Sequence, residues 1–300
     1  MLIQKGDILT LLMPSRIESN HTGYACLIDL YHQANTSDAK RVFFDFRRTT
    51  WFEANLCAVL GAIRELLLKN GKSFDVTNIG GSIKTILQKN KFLCDFGHFG
   101  MHDQYNTTVS YQKFNPTADG AFMTYIKNEM LAKPDFPSHS PALGKKISES
   151  IFELYENART HGNCDLLHTC GQYFPQKIPA RLDITIVDMG ITIKKNVKEY
   201  LNQPLSGVEA IVWALQYGNT TKTGNISGGL GLDIMFKFIQ ENNGKVQIIS
   251  SDGYWESRRG AISTHIFENF FPGTIVNIEF NLSDTNSYLL KEEISLDGIF

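Results

Sequence analysis

The 300-residue sequence predicts a mixed α/β fold made of two units, residues 1–100 and residues 101–300. Short β-rich runs alternate with helical segments over residues 41–90, which is the pattern of a βαβ unit. A stretch richer in His, Asn, Pro and Gly follows, as is typical of a connection between units. A second series of helices and strands begins near residue 141, so we place the division before it.

The composition limits the functions that the chain can have. A hydrophobic fraction of 42% and a charged fraction of 20% are those of a globular protein with a well-developed core. With 29 basic against 31 acidic residues, the chain lacks the clustered positive charge that nucleic-acid backbones require. No apolar run approaches the roughly 20 residues that span a bilayer, and five scattered cysteines fit reduced thiols. We therefore expect a cytoplasmic protein without a nucleic-acid or membrane partner.

In the first unit, residues 41–46 (RVFFDF) are a β-rich run. Residues 52–70 place apolar side chains at helical spacing, and an Asn-Gly pair at their end supplies a stop signal. Residues 73–79 (SFDVTNI) predict the next strand, and residues 82–90 predict a second helix. Strand, helix and strand with short connections favour a right-handed βαβ unit.

In the second unit, the hydrophobic pattern predicts helices and strands, with a connector at residues 133–141 and a polar, Gly-rich loop at residues 218–229. The predicted helices are residues 121–131, 142–161, 208–217 and 230–240. The predicted strands are residues 107–114, 172–174, 182–187, 245–250 and 274–281. The polar motifs of this unit lie at the ends of these elements.

Glu153 and Asn157 are four residues apart on the longest predicted helix and therefore share one face. An asparagine amide oxygen is a hard donor of the kind that Mg²⁺ prefers. A carboxylate one turn earlier can orient a water or a hydroxyl for phosphoryl transfer. A solvated polar helix face is the alternative interpretation.

Asp188 and Gly190 follow directly after an apolar strand. A carboxylate at the end of a buried strand needs hydrogen-bond donors, and the exocyclic amine of adenine is one such donor. Gly190 would let a base or the backbone approach closely. A simple strand-to-turn connection explains the same residues without a ligand.

Gly228, Gly229, Leu230 and Gly231 stand at the start of a predicted helix. Unpaired backbone N–H groups at such a position make a site suited to phosphates. Thr274 opens the last long strand, where its hydroxyl could face the same pocket. Glycines that merely turn the chain are the alternative.

The order and spacing of these motifs resemble the histidine-kinase-like ATPases with the Bergerat fold, over about residues 105–282. This superfamily includes gyrase, heat-shock chaperone, histidine kinase and mismatch-repair ATPases. The resemblance implies an α/β sandwich that binds ATP and Mg²⁺. It assigns Mg²⁺ chelation to Asn157, catalysis to Glu153, adenine recognition to Asp188, Gly190 and Thr274, and phosphate contacts to the turn of Gly228, Gly229, Leu230 and Gly231.

The resemblance also makes the segment between Gly190 and Gly228 a mobile lid over the nucleotide. Within it, Thr221 and Lys222 are candidate contacts of the γ-phosphate, because a lysine there offsets phosphate charge. A solvated lysine is the alternative. The second glycine of the family's D-x-G-x-G pattern is replaced by Thr192, which predicts a stiffer lid hinge.

The first unit resembles, in topology, the STAS fold of anti-sigma-factor antagonists over about residues 40–95. In that family a phosphorylated serine begins the helix after the second core strand. The equivalent stretch, residues 51–56, contains no serine, and Thr49 and Thr50 are the nearest hydroxyls. In the second unit, the E-x-x-x-N-A-x-x-H-G form is closest to the anti-sigma-factor serine kinases. Nothing upstream resembles the dimerising helix pair of a sensor histidine kinase.

His161, Cys164, His168 and Cys170 suggest a second candidate site, for zinc. Their spacing does not match the usual zinc knuckle. A helix end that carries His161, followed by a turn and a strand, is the favoured interpretation.

The patterns together predict a regulator that binds ATP and Mg²⁺ and performs kinase-type phosphoryl transfer. Its nucleotide state would control contacts of the STAS-like domain or of a regulatory protein partner, and a homo-oligomer is a further option. The alternatives are an ATP-hydrolysing conformational switch and a nucleotide-sensing module without turnover.

Overall fold

The structure is a computed structural model that describes residues 2–160, 162, 164–216, 218–219, 221 and 230–293. Helices and several sheets occur throughout these residues. The predicted mixed α/β class is therefore confirmed.

The first part of the chain forms a four-stranded sheet with helices in its connections. Its elements are β1 (Leu2–Lys5), β2 (Ile8–Leu12), β3 (Arg16–Ile17), α1 (His21–Thr36), β4 (Arg41–Asp45), β5 (Trp51–Phe52), a 3₁₀ turn (Ala54–Leu56), α2 (Cys57–Lys69), β6 (Ser73–Thr77), α3 (Gly81–Lys89) and a second 3₁₀ turn (Phe92–Phe96). The strand order is β1-β2-β4-β6. β1 and β2 are antiparallel, whereas β2, β4 and β6 are parallel neighbours, as helical crossovers require.

The second part forms a five-stranded sheet in the order β11-β12-β10-β9-β7, in which every neighbouring pair is antiparallel. Its elements are β7 (Thr108–Phe114), α4 (Asp119–Tyr125), a π-helical turn (Ile126–Leu131), β8 (Ser138–His139), α5 (Pro141–Thr160), β9 (Leu167–Phe174), β10 (Arg181–Asp188), α6 (Ile193–Leu201), α7 (Gly207–Leu215), α8 (Leu230–Glu241), β11 (Lys245–Arg258), β12 (Ala261–Asn281), β13 (Ser287–Tyr288) and a 3₁₀ turn (Lys291–Glu293). β13 pairs with β8 beside the start of α5.

Different layers cover the two faces of the five-stranded sheet. On β10, Leu182, Ile184 and Ile186 belong to the core formed with α5 and α8. Val187 points the opposite way, into the core formed with α1 and α2 of the first part. Because successive side chains alternate between faces, Asp183 and Thr185 face the first part together with Val187, and both polar side chains are fully buried. The alternation of apolar and polar residues in β10 therefore reflects an apolar core on one side and a partly polar interface on the other.

The helical layer of the first part also contacts the sheet through buried polar groups. The fully buried Asn55 side chain donates to the side-chain oxygens of Ser19, Thr185 and Asn277 at 2.7, 2.9 and 3.1 Å. A buried acceptor left without a donor costs about 1–3 kcal/mol. The network therefore favours one position of this layer on the sheet.

A charged cluster lies in the same interface. Arg181 contacts three carboxylates, Glu53, Asp183 (3.0 Å) and Glu279 (3.4 Å), and Lys245 pairs with Glu279 at 3.1 Å. Asp183 is fully buried. Burial and the neighbouring Glu279 charge raise the pKa of Asp183 to about 7. A proton on Asp183 therefore relieves the excess of negative charge below about pH 7.

The predicted strands and helices are recovered, with some boundaries moved. The strand predicted at residues 172–174 begins at Leu167, and the last two long strands extend into a hairpin that turns at Arg259 and Gly260. The sequence predictions miss β1, β2, α1 and α6, and also the two-residue strands β3, β5, β8 and β13. The division near residue 100 stays a prediction, because the core around α1 and α2 also contains Tyr111 and Cys170 of the second part.

Replacing Asp183 tests the charged cluster through the pH dependence of stability. The pKa of Asp183 rises from the ordinary 3.8 to about 7 on folding, so the folded chain holds a proton that the unfolded chain releases. This group therefore lowers stability as pH rises from about 4 to about 7. We expect Asp183→Asn, a neutral isostere, to remove that decline and to be at least as stable as the parent at about pH 8 in urea unfolding.

Asp165→Asn is the matched control, because Asp165 forms only an exposed pair with Lys69 at 2.9 Å and should leave the decline intact. A loss of stability in Asp183→Asn at both acid and alkaline pH would contradict the protonation of Asp183 in the folded chain.

Candidate functional site

A cavity of about 180 Å³ opens over the ends of β10 and β12, between α5, α6 and α7. Its walls are mostly apolar and include Leu154, Ile186, Val197, Ile211, Ile248 and Val276. The predicted site residues that line it are Glu153, Asn157, Asp188, Thr221 and Thr274. An apolar cavity with a few convergent polar groups is the usual construction of a small-molecule site. Residues predicted from separate motifs thus meet in one place.

Glu153 and Asn157 reach the cavity from α5. The apolar stripe of this helix, with Ile147, Ile151 and Tyr155, is buried in the core. That packing fixes the rotation of the helix, and both polar side chains are left half-buried at the cavity. The predicted common face is therefore present.

Asp188 and Thr274 form the floor of the cavity. They are directly opposite each other in the antiparallel pair of β10 and β12. The Thr274 hydroxyl and backbone N–H both favour the ionised form of the Asp188 carboxyl. The Gly190 N–H donates to Asp188 Oδ1 at 2.9 Å. The aspartate is thus held by its neighbours while its side chain remains half-buried beneath the cavity.

The environment of Asp188 opposes its negative charge. Burial raises the pKa of Asp188 to about 7, although the donors from Gly190 and Thr274 favour the ionised form. Perturbed titrating groups inside a cleft are frequent at functional sites. Near neutral pH the free carboxyl is therefore poised between a donor and an acceptor.

Gly190 has a structural role in the turn after β10. A Cβ at this position would lie 2.0 Å from the carbonyl oxygen of Gly162, just beyond α5. The next residue, Ile191, donates its N–H to the same carbonyl at 2.6 Å. Gly190 therefore lets the turn after β10 pack against the backbone at the end of α5.

The position of the missing glycine, Thr192, is the N-cap of α6. Its backbone is extended (φ −69°, ψ 153°), and its side chain accepts from the Lys195 N–H at 3.2 Å. Threonine is well suited to this role. The segment predicted as a lid therefore contains two helices, α6 and α7, that form a wall of the cavity.

Only part of the predicted phosphate turn lies within the described residues. Lys222, Gly228 and Gly229 lie outside the described residues. Leu230 and Gly231 begin α8, as the sequence predicts, and α8 packs beside α5.

The zinc hypothesis is not supported by the described residues. His161 lies outside them, and among the others no group of three or more metal-binding side chains occurs. Cys164 belongs to the core on the α5 side of the sheet, whereas Cys170 belongs to the core on the α2 side. His168 is buried with its Nδ1 2.9 Å from the Tyr111 hydroxyl, and burial lowers the pKa of His168 to about 3.

Several residues of the site were not found from the sequence. Asn196, Trp213 and Asn219 line the cavity, but no motif or periodicity distinguishes them. Ser250 lies beside the cavity floor and bonds to Thr274. Its signal was available, because Ser250 continues the alternating face of Val246 and Ile248 on β11.

Comparisons of the sequence with protein-family models and with curated proteins give no match. Within the described part of the chain, none of the helices has the length and apolar character needed to cross a membrane.

Gly190→Ala tests the close contact beneath the cavity. The added methyl group would overlap the Gly162 carbonyl, so the backbone must shift. We expect a loss of about 2 kcal/mol or more in the free energy of unfolding, measured by urea denaturation. Gly80→Ala is the matched control, because a Cβ at Gly80 meets nothing within 4 Å. Equal stability of the two variants would be incompatible with the contact.

Proposed function

We propose that this protein is a cytoplasmic regulator that binds ATP with Mg²⁺ and belongs to the histidine-kinase-like ATPase class. The observation that carries the proposal is the convergence of Glu153, Asn157, Asp188 and Thr274 on one cavity. These residues come from α5, β10 and β12. Separate sequence motifs predict their roles, so their meeting in one cavity supports the assignment.

The floor of the cavity fits an adenine base. The walls are apolar, which suits a flat aromatic ring. One oxygen of Asp188 accepts from Gly190, and the carboxylate can accept a further bond from the exocyclic amine. Thr274 places a hydroxyl beside it. The buried, partly satisfied carboxylate thus gains a donor when a base binds.

The α5 end of the cavity fits the phosphates. The Asn157 amide oxygen would hold Mg²⁺ together with phosphate oxygens. Glu153, one turn earlier on the same face, would orient the group that attacks the γ-phosphate, either a protein hydroxyl or a water. Thr221 lines the cavity and would approach the phosphates.

The first part of the chain supports a regulatory function. Its β1–β2 hairpin and parallel strands with intervening helices are compatible with a STAS-like domain. Its helices pack on the back of the strand that carries Asp188. Nucleotide binding at one face of the sheet can therefore change how the other layer meets a protein partner or a second copy.

Three substitutions test the pocket. Asp188→Asn should weaken ATP binding at least about tenfold by changing the acceptor of the adenine amine. Asn157→Ala should reduce affinity in Mg²⁺ to the value measured with a chelator. Glu153→Ala should spare binding and abolish turnover. Glu149→Ala is the control, because Glu149 is exposed on the same helix and pairs with Lys146 at 3.0 Å.

Calorimetric titration measures the affinities, and γ-labelled ATP separates the reactions. Label on protein identifies a kinase, free phosphate identifies an ATPase, and neither with tight binding identifies a sensor. Full Mg²⁺-ATP affinity in Asn157→Ala would contradict the pocket.

The pH dependence of affinity tests the role of Asp188. With a pKa near 7, the free carboxyl is mostly protonated at about pH 6 and must ionise to accept from the adenine amine. Affinity should therefore rise roughly tenfold between about pH 6 and pH 8. ATP phosphates also titrate in this range, so the comparison is with Asp188→Asn. Its ATP affinity should still vary with the titration of the phosphates but should lose the part of the pH dependence that comes from Asp188. Identical pH profiles would exclude this role.

A further inference from the structure

Ser250 lies beside Thr274, which it pairs with across the sheet, at the last regular position of β11 before its bulge. It is fully buried and does not line the cavity. Burial of a hydroxyl is costly unless it is bonded, and three bonds account for it. They lead to the two elements that shape the site, the strand β12 and the helix α6.

The Ser250 hydroxyl joins the floor to the wall. Its oxygen accepts from the Ile193 N–H at 2.9 Å, at the first residue of α6. The same oxygen lies 3.1 Å from the Thr274 hydroxyl and 3.1 Å from the Gly273 carbonyl oxygen. Thr274 is directly opposite Asp188 in the sheet, and its hydroxyl favours the ionised form of the Asp188 carboxyl. Polar contacts through Thr274 and Ser250 therefore connect Asp188 to the start of α6.

A hydroxyl has one proton to donate, so the chain has two arrangements. When Asp188 is ionised, Thr274 donates to it and Ser250 donates to Thr274. When Asp188 is protonated, it donates to Thr274, Thr274 donates to Ser250, and Ser250 donates to the Gly273 carbonyl. The backbone carbonyl is the acceptor that makes the second arrangement complete.

We propose that Ser250 is a positioning residue of the nucleotide site, which directs the Thr274 hydroxyl toward Asp188 and holds the start of α6 against the floor. The proposal deepens the function proposed above and rests on it. Ser250 touches no ligand. It acts by supplying a donor when Asp188 is ionised and by releasing it when Asp188 is protonated.

Other titrating groups surround this chain. Glu153 of α5 lines the same cavity as Asp188, and the Cys164 thiol interacts electrostatically with Asp188. Behind Ser250, Lys194 of α6 binds both carboxylate oxygens of Asp252 at 2.9 and 2.8 Å. Lys194 and Asp252 neutralise each other. The hydroxyls of Ser250 and Thr274 are therefore the groups on this side whose removal is expected to change the pKa of Asp188.

The test compares Ser250→Ala with Ser250→Thr, which keeps the hydroxyl. Carbon-detected NMR of the Asp188 carboxyl in the nucleotide-free protein gives its titration midpoint. We expect Ser250→Ala to move that midpoint upward by about half a pH unit or more, because the ionised form loses support. ATP affinity should show the same displacement along the pH axis. Ser250→Thr should restore the parent midpoint.

A double-mutant comparison separates positioning from mere stability. In a Thr274→Val background the chain is already broken, so adding Ser250→Ala should leave the midpoint unchanged. An unchanged midpoint in Ser250→Ala alone, or an equal further shift in the Val background, would overturn the proposal. If the parent protein bound no ATP, the proposed function would fail, but the NMR midpoints would still decide the role of Ser250.

Discussion

The antiparallel pairing of β10 with β12 is the constraint on which the rest of the structure depends. Its register sets Asp188 opposite Thr274 at one end and Asp183 opposite Glu279 at the other. Because side chains alternate, the first pair faces the cavity and the second pair faces the helices of the first part. A slip of one residue would exchange the two faces. The cavity floor and the buried charged cluster are therefore specified by the same register.

Much of the fold and several site residues could be predicted, because their signals are local. The apolar residues at alternate positions of β10 follow from burial against α5 and α8. The spacing of Glu153 and Asn157 sets them on one face of a helix whatever it packs against. Asp188 is recognisable because a carboxylate after a buried strand needs donors. These local arguments cannot show which residues lie close together in space, since Asp188 and Thr274 are neighbours only because their strands pair in the sheet.

The remaining features depend on distant partners or lack local signals. α1 has no acidic residue in its first turn and no basic residue in its last, so the usual charge signals of a helix are missing. The outer part of β12 is exposed at Ile262 and Ile266, so its apolar residues do not mark a buried face from which the strand could be predicted. The sequence around Asn55 would place it on the surface, but Asn55 is buried against Thr185, which is 130 residues further along the chain. Such networks become visible only when the layers are assembled.

The position of Asp188 in β10 suggests how a nucleotide could influence the first part of the chain. Its neighbours in sequence, Val187 and Met189, pack into the core that contains α1 and α2. Interiors are close-packed and transmit small displacements. A ligand that stabilises the ionised Asp188 carboxylate would therefore act on the end of β10, whose opposite face packs against α1 and α2. Because both parts share one core, the response would be a small shift of β10 against α2, with the layers still in contact.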